Sequence, residues 1–426
     1  MDGNVKAGDA YTGNVSSLQY SGEATLTIDE NGLIVSSMFS DFAVGYEEIQ
    51  YIKPGDYTVE IGTEEETISC SRMGNSGDWL HGNLLKRYNS AVTSALLAKG
   101  DCVFETKGTI SYNGFRTSGA IRVFQDCICL LPPDRQGRRF PFSFLCCMKK
   151  ENYALSIRLI TGESCILSML GRDLEPLEKC IMESVRRVRE QSGEMIGSIC
   201  GELNMSQKTK ASNLLTAKIA TPLKMLAALP VLEKAITEKI RNSEMKDTWP
   251  ILLELCHTEK VCVGIWELPE EEVERLKAEL LEKMGEESAE GDGITGEVCA
   301  ELTPEQEDTL HWMIWVAIPS VDERFAIVEA AFPNEATATY IYRIPDTWES
   351  FLPVLNRAME AVDFNREVIM IPEDKLLDGS HPMEQMLVHR TPALMSLRKQ
   401  FAGRIVHKSI EGWKKGLQKY LESSSV

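Results

Sequence analysis

The sequence predicts a multidomain α+β protein that begins with two small antiparallel β-barrels, each closed by a C-terminal helix. Three observations support this: a repeat with an offset of 96–97 residues, short alternating apolar runs within each copy, and helical spacing after Gln191. A mainly helical middle segment and a C-terminal antiparallel α+β domain complete the expected architecture. The expected bounds are 11–98 and 104–190 for the two barrels, 195–284 for the helical segment, 285–296 for an acidic glycine-containing linker and 300–426 for the last domain.

The repeat rests on three segment pairs that recur in the same order. The pairs are Ser21-Gly22 with Ser118-Gly119, Asp56–Ile61 with Asn152–Ile157, and Met73-Gly74 with Leu170-Gly171. The offset drifts by a single residue over the whole stretch, as a difference in one loop would produce. We therefore expect two copies of one strand order, each with its helix last.

Each copy carries hairpin signals followed by one amphipathic stretch. In the first copy Asn31-Gly32 separates two β-type runs, and this dipeptide favours a tight turn because both residues tolerate positive φ. Apolar residues then recur at three- and four-residue steps, which places one apolar stripe on a helix. These stripes are Trp79, Leu80, Leu84, Tyr88, Val92, Ala95 and Leu96 in the first copy, and Leu174, Leu177, Ile181, Val185 and Val188 in the second.

This order of elements resembles the pleckstrin-homology-like fold, including the related GRAM domains. The second copy carries the resemblance best, in the 119–131 strand pair, the 140–144 strand, the 153–169 hairpin and the terminal helix. The resemblance implies binding of peptides, partner domains or phosphoinositide head groups, and in most members no catalytic residues. Another small β-barrel repeated twice is the alternative.

Basic residues of the second copy are the candidate anion-binding or partner-binding residues. The lipid-binding members of the family carry a basic motif on the first two strands, and Lys107 and Arg116 approach it. The next basic position of that motif is Ser118 here. A second group consists of Arg135, Arg138, Arg139, Lys149 and Lys150. We expect the arginines to project from a proline-rich loop, either as an anion site or as an intramolecular contact to acidic segments.

The C-terminal half alternates helices and strands. Pro230 is expected to interrupt a helix that starts near Met205, and Trp249-Pro250 to start another. A short strand is expected at 261–266 and a charged helix from Leu268 to about Met284. The last domain is expected to hold strands at 312–318, 325–332, 338–344 and 367–371, with helices at 347–362, 383–402 and 411–421.

No pattern in the sequence predicts catalysis or a metal site. None of the six histidines has metal-ligand spacing, and there is no nucleophile elbow, phosphate loop or dinucleotide-binding glycine motif. No pair among the twelve cysteines has C-x-x-C spacing. We expect them, including Cys127, Cys129, Cys146 and Cys147, to be reduced thiols packed within strands.

Charge and hydropathy narrow the expected class of partner. The chain has 45 basic and 64 acidic side chains, a net charge of −19, which disfavours nucleic acid and anionic membrane. Residues 101–190 are the exception, with 14 basic and 11 acidic side chains. No apolar run approaches the length that spans a bilayer, and no secretory signal is recognised.

These observations together predict a cytoplasmic, non-catalytic protein-interaction or scaffold protein without cofactors, whose partner is another protein. Two alternatives remain open. One is a peripheral membrane adaptor that binds anionic head groups through the second copy. The other is an enzyme with an unrecognised site in the C-terminal domain. We further expect residues 1–190 to behave as one cooperative unit, and proteases to cut first near 286–293.

Overall fold

The computed structural model describes residues 10–291, 302–331 and 338–422, with the backbone alone for 283–291 and 304–306. The chain divides into two units: Met1–Arg186 with Arg357–Met395, and Arg187–Asn356 with Ser396–Val426. The sequence instead assigned all of 300–426 to one domain. Within the described residues, no helix is long and apolar enough to cross a membrane.

Unit 1 begins with a seven-stranded antiparallel sheet and one helix, the first copy of the repeat. Its elements are β1 (Ala10–Ser16), β2 (Ser21–Ile28), β3 (Gly32–Ser36), β4 (Asp41–Gly45), β5 (Tyr51–Gly55), β6 (Thr58–Gly62), β7 (Thr67–Ser71) and α1 (Ser76–Ala95). The strand order in the sheet is β4-β3-β2-β1-β7-β6-β5. Alternate residues of these strands are buried, and one face of α1 packs on them through Leu80, Leu84 and Val92.

The second copy repeats the same arrangement. Its elements are β8 (Phe104–Tyr112), β9 (Phe115–Val123), β10 (Cys127–Leu131), β11 (Arg138–Pro141), β12 (Leu145–Glu151), β13 (Ala154–Leu159), β14 (Ser164–Ser168) and α2 (Leu174–Ile199). The order β11-β10-β9-β8-β14-β13-β12 is that of the first copy, strand for strand. The expected repeat of one strand order with the helix last is confirmed.

Backbone conformation repeats as well. Just before β6 and β13 lie Tyr57 and Tyr153, with φ of 55° and 58°. Just after β7 and β14 lie Arg72 and Met169, with φ of 56° and 58°, followed by Gly74 and Gly171 at 53° and 57°. Side chains other than glycine rarely adopt this left-handed region. Three such positions at offsets of 96 and 97 match the repeat read from the sequence.

The two sheets are not closed barrels, which corrects the sequence-based expectation. In each sheet the first and last strands of the order do not pair with each other. Two of the unpaired edges are poorly suited to pairing: β5 contains Pro54, which has no N–H, and β12 carries a bulge between Leu145 and Cys147. Each sheet therefore stays open on one side.

The hairpin at Asn31-Gly32 forms as predicted, but not for the predicted reason. Strands β2 and β3 pair on either side of it, and neither residue has positive φ. Gly32 instead faces the backbone of β4. A Cβ atom there would lie 2.1 Å from the carbonyl oxygen of Val44. The glycine is needed for close strand approach rather than for turn geometry.

The two copies pack directly against each other within unit 1. The amide of Ile52 on β5 donates a hydrogen bond of 2.7 Å to the carbonyl of Pro133, in the loop between β10 and β11. The amide of Lys99 donates to Asp126 at 3.1 Å. Unit 1 is completed by residues 357–395, which hold the end of α9 (Trp348–Ala361), the start of α13 (Pro392–Gln400) and three complete helices. Those helices are α10 (Glu367–Met370), α11 (Glu373–Leu377) and α12 (Pro382–Arg390).

Unit 2 is built on a six-stranded antiparallel sheet with the order β15-β16-β17-β18-β19-β20. The strands are β15 (Thr221–Pro222), β16 (Cys262–Glu267), β17 (Trp312–Pro319), β18 (Phe325–Ala331), β19 (Ala338–Arg343) and β20 (Phe401–Val406). The other helices are α3 (Met205–Leu214), α4 (Leu223–Leu226), α5 (Pro230–Asn242), α6 (Trp249–Leu255), α7 (Glu270–Gly291), α8 (Pro304–Leu310) and α14 (Ile410–Glu422). The predicted meander of three strands is confirmed as β17, β18 and β19.

Three sequence-based expectations for this half are wrong. The predicted strand at 367–371 is helix α10 (Glu367–Met370) followed by Ile371, because a short buried apolar run fits either state. The helix predicted at 383–402 is two helices followed by β20, whose Gly403 admits the Tyr420 side chain of α14. The first part of the predicted linker belongs to α7, which runs to Gly291, and 292–296 lie outside the described residues.

Candidate functional site

The seven basic residues singled out from the sequence do not form one site. Arg135 and Arg138 line a common cleft. Arg139, adjacent to Arg138 in β11, is buried in the interior of unit 1. Lys107, Arg116, Lys149 and Lys150 are exposed on strands of the second copy and do not line this cleft.

Arg139 belongs to a buried ionic network rather than to a binding surface. Its side chain is 4% exposed and contacts Asp126 at 2.6 Å and Glu360 of α9 at 2.7 Å. Burial alone would lower the pKa of Arg139, but Glu360 and Asp126 outweigh it and raise that pKa above its ordinary value. The intramolecular contact to acidic segments, one of the two expectations for these arginines, is what Arg139 makes.

Two further buried arginines hold residues 357–395 onto the copies. Arg357 donates to the carbonyl of Arg139 at 2.9 Å and pairs with Glu360 at 2.8 Å. Arg390 at the end of α12 is 2% exposed. It donates to the Tyr88 hydroxyl at 2.9 Å and the Ile49 carbonyl at 3.2 Å, both in the first copy. Because Arg357 contacts the second copy and Arg390 the first, this segment bridges both.

The cleft that Arg138 and Arg135 line is built from both copies, and we call it the arginine cleft. The first copy contributes Tyr51 and Gln50. The second copy contributes the remaining lining residues, which are Tyr112, Asn113, Phe115, Asp134, Arg135, Gln136 and Arg138. Its volume is about 380 Å³. Aromatic walls with a small number of charged groups are typical of ligand pockets.

The two arginines of the cleft differ in their partners. Arg135 pairs with Asp134 at 3.0 Å, and its guanidinium carbon lies 4.2 Å from the centre of the Phe115 ring. Burial raises the pKa of Asp134, but hydrogen bonds from Arg135 and Thr117 outweigh this and lower it overall. Arg138 has no carboxylate in ion-pair contact among the described residues, and its Nε and Nη1 atoms are buried without an acceptor. Burial lowers the pKa of Arg138, and the neutral Tyr112 hydroxyl is its hydrogen-bonding neighbour.

A second cleft adjoins the arginine cleft and carries the opposite charge. The two share Gln50 and Gln136 in their linings, so they are continuous. This acidic cleft has a volume of about 450 Å³ along the open edge of β4. Its acidic lining residues are Glu47, Glu48, Glu64, Glu65, Glu66 and Asp378. Burial raises the pKa of Glu47, and a neighbouring charge from Glu48 adds to the effect.

The remaining basic candidates are spread over the second copy. Lys107 faces α1 closely enough to contribute to a lowered pKa of His81, whose main cause is burial. Lys150 pairs with Glu178 of α2, and Lys149 is exposed beside it. Lys107 lies opposite Ala120 and Arg116 opposite Ser111 in the β8–β9 ladder, and a joint anion site of these two residues stays a prediction.

Sequence reasoning missed the aromatic side chains of the arginine cleft. One signal was available: Tyr112-Asn113-Gly114-Phe115 is an Asn-Gly hairpin flanked by aromatic residues, and Asn113 and Gly114 have φ of 50° and 78°. That turn presents Phe115, which is 55% exposed, beside Arg135. No local signal marks Tyr51, because it reaches the cleft only through packing of the two copies.

The structure also shows which cysteines are buried and which are exposed. The described cysteines are free thiols, and Cys127 and Cys129 are buried as expected, whereas Cys102 and Cys146 are exposed.

In unit 2, the fully buried Glu329 lies 3.2 Å from His407, and Thr339 accepts a hydrogen bond of 2.7 Å from the Trp413 indole. Thr339 is itself 0% exposed, and this group fastens α14 to the sheet. Among the described residues, no three potential metal ligands are grouped.

Comparison with known proteins leaves the family open. No family model matches the chain, and no curated protein matches it. Among solved structures, the chain is similar to the crystal structure of the C-terminal domain of an unknown protein from Leishmania infantum, at a TM-score of 0.21 and 7% identity. That similarity covers 23% of this chain and 97% of the other, and at such a TM-score it carries no argument about fold or function.

Proposed function

We propose that this chain is a non-catalytic intracellular interaction or scaffold protein whose two pleckstrin-homology-like copies bind another protein. The likeness to that fold is part of the proposal. It is supported by two sheets with one strand order, each of seven strands followed by a helix. The observation that carries the proposed function is the arginine cleft, an aromatic-lined cavity to which both copies contribute.

A binding role fits the way unit 1 is held together. Buried arginines Arg139, Arg357 and Arg390 fix both copies and residues 357–395 in one arrangement. A partner that contacts both copies then meets a surface that is already organised, which reduces the ordering cost of binding. Exposed aromatic side chains such as Phe115 supply contact area at low conformational cost, and aromatic residues are common anchors in protein interfaces.

Affinity capture from the native host tests this proposal with a pair of matched variants. Phe115→Ala removes the exposed aromatic side chain of the cleft, and Tyr153→Ala removes an 89% exposed aromatic side chain elsewhere on the same copy. We expect one or more proteins to be retained by the unmodified chain and by Tyr153→Ala, and lost with Phe115→Ala. Identical sets of captured proteins for both variants would contradict a partner site in the cleft.

A second candidate function, a peripheral membrane adaptor, is favoured by one observation on the second copy. The exposed Tyr153 and Met169 flank the same end of the β13–β14 ladder, near Lys149 and Lys150 on β12. Sedimentation with phosphatidylserine vesicles tests it. Pelleting that is lost in Lys149→Ser/Lys150→Ser would favour the adaptor. Arg139 is left unchanged in this test because its replacement disturbs the interior rather than the surface.

A further inference from the structure

Arg138 has no carboxylate in ion-pair contact within the described part of the chain, with Glu163 acting on it only at longer range, and this is the feature that points to a ligand. Its Nε and Nη1 atoms are buried without acceptors. The adjacent Arg139 contacts two carboxylates, and Arg135 in the same cleft contacts Asp134. A cation withdrawn from water is costly unless an opposite charge is placed beside it.

The arginine cleft gives an anion access to this side chain. Arg138 lines the cavity together with Tyr51, Tyr112, Phe115 and the Arg135–Asp134 ion pair, so a bound group meets one arginine without a paired carboxylate and three aromatic walls. Guanidinium groups bind carboxylates and phosphoryl groups through charge-assisted hydrogen bonds. An anionic group attached to a flat or apolar body fits this lining best.

The adjoining acidic cleft decides what kind of molecule carries that anion. Glu47, Glu48 and Glu64–Glu66 lie along the continuation of the arginine cleft past Gln50 and Gln136. A densely anionic membrane surface or polyphosphate would be repelled there, whereas positive side chains next to the anionic group would be attracted. A peptide can carry both charges at adjacent positions.

We propose that the arginine cleft and the acidic cleft together bind an extended peptide, with its carboxylate or phosphoryl group against Arg138 and flanking basic side chains against the glutamates. This rests on the proposed function, because it names the ligand class of the same site. Pairing of the basic flank with the glutamates sets the orientation of the peptide, the glutamates exclude polyanions, and the aromatic walls hold the peptide body beside its anionic group.

Fluorescence anisotropy with labelled synthetic peptides on the full chain tests the proposal. Three probes share an Arg-Arg flank and differ in the next residues: a phosphotyrosine, an unmodified tyrosine followed by a glutamate, and an unmodified tyrosine in a neutral C-terminal amide. We expect one of the two anionic probes to bind at least about tenfold more tightly than the neutral one, as loss of a charged hydrogen bond predicts. Which anionic probe binds more tightly distinguishes a phosphoryl group from a carboxylate.

Variants assign the binding to the cleft. Arg138→Gln should weaken the best probe by about tenfold or more, whereas Arg116→Gln, on the exposed face of β9, should leave it unchanged. Exchanging the Arg-Arg flank for Glu-Glu should weaken binding, and Glu64→Lys/Glu65→Lys should reverse that preference. Equal affinity of the best probe for Arg138→Gln and Arg116→Gln would overturn the proposal.

Photo-cross-linking of the unmodified chain removes any dependence on how the variants fold. The best probe, with a benzophenone beside its anionic residue, should label the segments around Tyr51 or Phe115. Labelling elsewhere, or no binding by any of the three probes, overturns the peptide proposal. If affinity capture of a partner protein still depends on Phe115, the proposed function stands although the peptide proposal has failed. Pelleting with phosphatidylserine vesicles that is lost in Arg138→Gln would assign the cleft to a lipid surface instead.

Discussion

Arg138 and Arg139 are adjacent in the sequence but have different environments and different roles. They are neighbours in β11, and successive side chains of a strand point to opposite faces. Arg139 therefore meets Asp126 and Glu360, while Arg138 lines a cleft. The sequence predicted both as projecting loop charges. Nothing local to 135–139 indicates that a carboxylate 221 residues away completes the site of Arg139.

Replacing Arg139 should destabilise unit 1 strongly. In Arg139→Met, Asp126 and Glu360 lose a buried counter-charge, and breaking a buried pair from one side typically costs about 3–5 kcal/mol. Urea unfolding followed by far-UV circular dichroism measures the change. Arg116→Met, at an exposed site, serves as the matched control and should stay within about 0.5 kcal/mol of the unmodified chain. Equal effects of the two replacements would contradict the ionic network.

His81 should make stability depend on pH. Burial lowers the pKa of His81 below 6.5 in the folded chain. One ring nitrogen donates a hydrogen bond to the Ile52 carbonyl, and Nε2 is buried without a partner. Between the lowered pKa and 6.5 the unfolded chain binds more protons at this site than the folded chain. The free energy of unfolding should thus fall as pH falls through this window.

The control for this effect is His81→Gln, which removes the titrating group and keeps a polar side chain of similar reach. Denaturant unfolding at pH 7 and pH 5 compares the two chains. We expect a smaller loss of stability between these pH values in His81→Gln. A slope that is unchanged, or a chain that gains stability from His81 on acidification, would show that the imidazole is not held neutral.

At the scale of elements, the repeat was the part of the fold most accessible from sequence. Strand pairs and helix stripes repeat because each copy buries the same faces, and the matching segments Asp56–Ile61 and Asn152–Ile157 become β6 and β13 with their preceding turns. The open side of each sheet could not be predicted from the sequence. It depends on edge features such as Pro54 and the β12 bulge, whose effect appears only once neighbours are known. The run at 367–371 was misassigned because burial, not periodicity, decides its state.

The left-handed positions give a test of the repeat itself. Gly171 has φ of 57° and open space around its Cβ position, so Gly171→Ala should destabilise by about 1 kcal/mol through backbone conformation alone. Gly74→Ala in the first copy should behave in the same way. Met169→Gly should gain up to about 1 kcal/mol, since left-handed strain is relieved while chain entropy opposes it.

Gly193→Ala is the matched control for these glycine variants. Gly193 lies within α2, also with open space around its Cβ position, and it has no positive φ. There alanine should stabilise by about 1 kcal/mol, the opposite sign. Thermal unfolding of the four variants is sufficient to check this. The same sign for Gly171→Ala and Gly193→Ala would remove the conformational explanation.

At the scale of the whole molecule, unit 1 contains two stretches that are far apart in sequence. The expectation that residues 1–190 form one cooperative unit stays a prediction, and the structure adds 357–395 to the same body. That addition could not be foreseen, because Arg357 and Arg390 reach partners 218 and 302 residues away without any local pattern. The cleft between the copies could not be foreseen for the same reason.

Limited proteolysis tests the role of residues 357–395. A cut near 286–293 separates this segment covalently from the two copies. We expect the fragments to remain associated in size-exclusion chromatography, because Glu360 and Arg390 keep their buried contacts with the copies and β16 stays paired with β17. They should separate in urea, and at a lower urea concentration in Arg139→Met. Separation without denaturant would contradict a stable attachment.

The position of Glu360 also has a consequence for synthesis. Chains fold from the N-terminus as they emerge, and both copies of the repeat are complete long before residue 360 is made. During that interval Arg139 faces Asp126 alone, and the hydrogen bond from the Tyr88 hydroxyl to the Ile49 carbonyl lacks the second donor that Arg390 later supplies. The nascent pair of copies therefore passes through a period in which the polar groups that Glu360 and Arg390 later contact are exposed. Chaperone binding or premature termination would matter most during that period. A chain terminated after the repeat would contain the strands in the right order. It would lack Arg357, Glu360 and Arg390, whose contacts hold the two copies in place.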